Sequence, residues 1–135
     1  MSTDTLKFLH PSDWAPAKGY SNGVVADGRQ VFIAGQIGWN PHAKFETDDI
    51  VAQVEQALSN VIQVLRQAGG DTHHIVRLNW YLTDKAEYAA RQKEIGAAYR
   101  RVIGRHFPAM TLLIVAGLLE PGAKVEIEAT AVIPK

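Results

Sequence analysis

Hydrophobic and polar positions alternate most cleanly near the end of the chain. From residue 125 to 132, Val125, Ile127, Ala129 and Ala131 fall on one side and Glu126, Glu128 and Thr130 on the other, the period of a strand with one buried and one wet face. Residues 111–119 are almost wholly apolar instead, which predicts a strand covered on both faces. A helical period holds up to about residue 68. Ile50, Val51, Val54, Ala57, Leu58, Val61 and Leu65 share one face, and Gln53, Glu55, Gln56, Ser59 and Gln63 fall away from it. Thr47 or Asp48 can cap this helix, and Gly69-Gly70 stops it.

The remaining elements follow from similar cues. Residues 6–9 predict a short strand ended by Pro11. Residues 20–26 and 29–36 predict a hairpin turned by Asp27-Gly28. Residues 75–82 form a strand rich in large side chains. Asp84 with Glu87 opens a second helix, with Tyr88, Ile95, Tyr99, Val102 and Ile103 on its buried side and Arg91, Lys93, Arg100 and Arg101 on its wet side; Gly104 ends it. The order β-β-β-α-β-α-β-β predicts an α+β fold, one domain over residues 1–135, with two helices packed on one face of a mixed sheet. The other face needs a cover, and another copy of the same chain is the simplest one.

Composition narrows the function classes. Fourteen basic and fourteen acidic residues cancel, which argues against nucleic acid as a partner because phosphate neutralisation leaves a basic footprint. There is no cysteine, hence no thiol nucleophile or disulfide framework. The N-terminal residues lack the pattern of a secretory signal, and no apolar run approaches the roughly 20 residues of a membrane helix. A soluble, cytoplasmic protein without membrane contact is expected. Glu126 and Glu128 share a strand face, either as a solvated surface or as a chemical site. No histidine stands near them at a ligand spacing, and His73-His74 point apart, so no metal is expected.

Several segments carry a family resemblance. Phe107-Pro108-Ala109, followed by Val125-Glu126-Ile127-Glu128-Ala129, resembles the C-terminal signature of the Rid family (reactive intermediate deaminase A, also YjgF/UK114). Gly19-Tyr20-Ser21-Asn22-Gly23 resembles its early tyrosine segment and Ala34-Gly35-Gln36-Ile37 its Gly-Gln-Ile turn. Gln53, Gln56, Leu58 and Asn60, ending in Ala68-Gly69-Gly70, resemble its first helix. The likeness spans nearly the whole chain.

The resemblance implies a chorismate-mutase-like fold, a homotrimer with sheets packed inward into a barrel, and clefts at the subunit boundaries. It implies cofactor-free hydrolysis of an enamine or imine, a small-molecule substrate. By the same likeness Glu126 matches the carboxylate that holds the attacking water, Gly35 a glycine whose N–H binds a substrate oxygen, and Tyr20 a cleft tyrosine. Gln92 falls at or near a cleft asparagine. One departure stands out. The deaminase branch places a carboxylate-binding arginine after Phe-Pro-Ala, and here that position is Met110. With Leu112, Trp39 and Trp80 as further walls, the cleft is expected to take a substrate larger or more apolar than 2-iminopropanoate, as in aminoaromatic breakdown. Lys18, Arg77 and Arg105 are candidate substitute cations, and His106 a candidate acid or base. The alternative is a non-catalytic trimer that holds a small apolar metabolite or acts as a chaperone for a protein client.

Overall fold

The computed structural model describes residues 6–135. Its elements follow the expected order: β1 (Lys7–Leu9), β2 (Gly23–Val25), β3 (Arg29–Ile37), α1 (Ile50–Gln67), β4 (Ile75–Leu82), α2 (Lys85–Ala90), α3 (Gln92–Val102), β5 (Ala109–Ile114) and β6 (Val125–Ile133). A mixed sheet runs β3-β6-β4-β5, with β4 and β5 parallel and the other pairs antiparallel. The alternation of β6 is realised as read. Val125, Ile127, Ala129 and Ala131 are buried beneath α1 and α3, while Glu126, Glu128 and Thr130 look to the open face.

α1 buries Ile50, Val54, Leu58, Val61 and Leu65 almost completely. Each such side chain contributes about 1.5–3 kcal/mol from the area it removes from water. The cap is Asp49, one residue beyond the expected pair. Its carboxylate accepts from the Ala52 N–H and the Arg91 guanidinium, which together hold it below the usual carboxylate range. Arg91 also marks a break that the sequence reading ran through. The second helix is two helices, and the kinked backbone at Arg91 lets its side chain reach both Asp49 and Glu94.

Three further expectations are corrected. The residue 20–26 and 29–36 segments do not pair: β2 pairs with β1, and β3 pairs with β6. Gly28 is needed for another reason, since a Cβ there would collide with the Ile133 carbonyl at the end of β6. The apolar run at 111–119 is a strand over only part of its length, and one chain by itself covers only its helix side. Its strand ends at Ile114, lies at the sheet edge, and leaves Leu113 49% exposed.

Gln53 is the third. Placed among the polar positions by its spacing, it is 0% exposed. Its amide nitrogen donates to the carbonyls of Thr47 and Gly122, and its amide oxygen accepts from the Lys124 N–H. One side chain thus satisfies three backbone groups that no helix or strand ladder reaches. It fastens α1 to the loop that delivers β6. Among the described residues no helix is long and apolar enough to cross a membrane.

Gln53→Leu keeps the volume and strands those three groups. Urea denaturation is expected to show a loss of about 2–4 kcal/mol with an unchanged slope, from buried groups left without partners. A loss below about 1 kcal/mol would mean that water reaches and satisfies them.

Candidate active site

The sheet separates two sets of candidate residues. On the open face, β6 lies between β3 and β4, and its register sets Glu126 opposite Tyr81 and Glu128 opposite Asn79. The two glutamates then differ sharply. Glu128 accepts from the Tyr81 hydroxyl at 2.6 Å and from the Asn79 amide at 3.1 Å. Glu126 has no hydrogen-bond or ion-pair partner among the described residues. Its carboxylate lies directly against Gly35, in the space where a Cβ at that position would sit. The irregularity in β3 between Ile33 and Gln36 brings Gly35 there.

On the helix side, a cavity of about 420 Å³ opens beside the edge strand β5. Trp80, Ile95 and Tyr99 form its buried walls, with Phe107, Met110 and Leu112 beside them. The Tyr99 ring stacks on Phe107 at 5.7 Å between centroids and sits 6.3 Å from Trp80. Its hydroxyl donates to the His106 carbonyl at 2.6 Å, and burial drives its phenol far up from the ordinary value. The Trp80 indole N–H is buried without a partner among the described residues.

Lys18, Tyr20, Gln92 and Arg100 line the same cavity and are exposed. The segment carrying Tyr20 is fastened to the Phe107-Pro108-Ala109 turn. The Ser21 N–H donates to the Pro108 carbonyl at 3.0 Å, and the Ser21 hydroxyl to that of Phe107.

The structure therefore brings Tyr20, Trp80, Gln92, Met110 and Leu112 together, and Gly35 with Glu126, but on opposite faces of the sheet. Trp39 joins neither group: its ring packs on Phe45 at 5.9 Å, and its carbonyl accepts from Asn60. His106 does not line the cavity; its Nε2 donates to the Ile75 carbonyl at 2.7 Å. Of the candidate cations only Lys18 reaches the cavity, whereas Arg77 and Arg105 do not line it. Arg100, on the side of the helix that its polar sequence predicts as wet, lines the cavity as well. The signal that finds it is its spacing from Gln92 and Gly96, four residues apart along one side of α3.

His74 belongs to a turn, its Nδ1 accepting from the Asp71 N–H, and burial pulls its pKa down. Among the described residues no cluster of three or more potential ligands is arranged to hold a metal ion.

Comparison with known proteins agrees with this architecture. The family described as Endoribonuclease L-PSP matches residues 11–133. Protein DfrA of Myxococcus xanthus is 37% identical over 133 residues, covering 93% of this chain and 95% of that protein. The 2-iminobutanoate/2-iminopropanoate deaminase of Homo sapiens is 31% identical over 114 residues, covering 84% and 79%. Among solved structures, the Rid-family protein YyfB from Yersinia pestis superposes with a TM-score of 0.83 at 34% identity, over 96% of this chain and 100% of that one. TdcF of E. coli, solved with bound serine, gives 0.67 at 27% identity, over 93% and 98%. Several relatives are thus named imine deaminases.

The pairing on the open face has a titration signature. The Tyr81 phenol is raised above its ordinary value, first by its hydrogen bond to Glu128 and then by desolvation and nearby carboxylate charge. Removing that charge with Glu128→Gln is expected to bring one tyrosine back toward pH 10 in an ultraviolet titration of the phenolate. An unchanged titration curve would mean that Glu128 does not bind Tyr81 in solution.

Proposed function

The chain belongs to the Rid (YjgF/UK114, endoribonuclease L-PSP) family, and from that premise we propose that it hydrolyses an enamine or imine intermediate without a cofactor. The observation that carries this reading is the contrast between the two glutamates. Glu128 is engaged by Tyr81 and Asn79, while Glu126 has no partner among the described residues and is seated against Gly35. A carboxylate not engaged by other side chains is what the addition of water to a C=N bond needs.

Glu126 takes a proton from water as the oxygen bonds to the imine carbon, and passes that proton to the imine nitrogen to give a carbinolamine. Glu126 then takes the hydroxyl proton as the C=O forms and delivers it to the amine nitrogen as the C–N bond breaks, so that ammonia leaves and the carboxylate is restored. Water enters and ammonia leaves, so the ketone or aldehyde is the only other product. The Gly35 N–H is the donor for an oxygen of the substrate.

The substrate-binding half of the site is the cavity with Tyr20, Trp80, Gln92, Met110 and Leu112. A single chain holds it on the other face of the sheet from Glu126, so we assign the complete site to a boundary between copies in a homotrimer. Exposed apolar side chains on the open face, Phe32 at 74% and Leu113 at 49%, support a partner copy there. Met110 leaves no guanidinium at that point of β5. The substrate class is accordingly larger or more apolar than 2-iminopropanoate, and a cytoplasmic place in aminoaromatic breakdown fits it. The same separation of Glu126 from the cavity also favours a second reading, a trimer that binds a small apolar metabolite or a protein client without chemistry.

The test is ammonia release from freshly generated imines that vary in size and apolar character. Wild type is expected to accelerate aromatic or long-chain members, and Glu126→Gln to lower kcat by about 100-fold or more. Met110→Arg should move preference toward 2-iminopropanoate. A wild type inert on the whole panel overturns the deaminase reading and leaves the binding one.

A further inference from the structure

The helix-side cavity has a chemical asymmetry that the deaminase reading does not use. Its walls are aromatic and aliphatic, and among the described residues no carboxylate lines it. Two cations do, Lys18 and Arg100, and neither has an ion-pair or hydrogen-bond partner among the described residues. By contrast Arg91, Arg101 and Lys124 are each tied to a carboxylate. An unpaired guanidinium at the edge of an apolar cavity is a place for an anionic group attached to an apolar body.

Gly96 leaves room for that guanidinium to lie along the helix. A Cβ at Gly96 would meet only Arg100 Nη1, at 3.6 Å. The Arg100 side chain therefore folds back along α3 over Gly96, toward Gln92 and the cavity. Glycine inside a helix costs about 1 kcal/mol relative to alanine, and packing among the described residues does not demand it here, since 3.6 Å is ordinary contact. What the missing side chain provides is open space between Gln92 and Arg100 at the cavity edge.

We propose that this cavity is a subsite for an aromatic or long aliphatic carboxylate, with Arg100 taking the carboxylate and the Trp80, Tyr99 and Met110 walls taking the apolar body. The proposal rests on the reading of the cavity as the substrate-binding half of the site and names the substrate class for it. The planar fork of Arg100 matches a carboxylate with two parallel hydrogen bonds, and Lys18 adds charge without such geometry. The chain thus keeps an anion-binding group near Met110, supplied from α3 instead of β5. A body of aromatic size fits the 420 Å³ of the cavity.

Calorimetric titration of the full chain with 3-phenylpropanoate, its neutral amide, propanoate and phenyl phosphate tests this without any catalytic step. 3-Phenylpropanoate is expected to bind at least about tenfold more tightly than the amide or propanoate. Arg100→Ala should reduce it to the level of the amide and leave the amide unchanged, and Arg100→Lys should recover part of the difference. Equal binding of acid and amide, an acid preference that survives Arg100→Ala, or tighter binding of phenyl phosphate would overturn the proposal. Circular dichroism of each variant separates these results from misfolding. If the acid binds through Arg100 but no imine is hydrolysed, the deaminase reading fails and the subsite stands. If imines are hydrolysed while KM for carboxylate-bearing substrates ignores Arg100, the subsite fails alone.

Discussion

The period-two alternation of β6 is the constraint on which the rest of the molecule depends. This strand lies between β3 and β4 and gives one row of side chains to each face of the sheet. Valine, isoleucine and alanine on one row are what α1 and α3 pack against, and the same geometry obliges the other row to present its glutamates away from them. A slip of one residue would bury both carboxylates under the helices and expose the core. Gln53 guards against that slip, because its amide clasps the Lys124 N–H immediately before the strand begins. The placement of the glutamates thus follows from core packing.

Much of this was legible from residue order. The stripe of α1, the alternation of β6 and the sequence of elements all rest on local periodicity, and each is realised. What failed depended on contacts distant in sequence. Asp27-Gly28 has the chemistry of a hairpin turn, yet its glycine answers to a carbonyl over a hundred residues away, at Ile133. Gln53 looks like a surface residue on a helical wheel, and only the arrival of the Gly122 and Lys124 backbone gives it partners. The register of β4 against both β5 and β6 decides that Met110 and Glu126 lie on opposite faces, and no pattern within either strand reveals it.

The contents of the cavity show how a change of one side chain relocates electrostatics without disturbing the fold. A thioether at Met110 joins Phe107 and Leu112 in packing against the core, and methionine adapts readily to such irregular apolar surroundings. The positive charge nearby instead belongs to a helix whose outer side is open to water. A cation on that side pays little desolvation and swings on a long stem, whereas one on a strand is held by its neighbours. The walls therefore set the shape of what enters, and the charge sits where it can adjust to different lengths.

Gly35 and Glu126 occupy a single volume between them. The resting place of the carboxylate is therefore set by the absence of one methyl group: an alanine at position 35 would push the flexible end of Glu126 aside while meeting no backbone atom first.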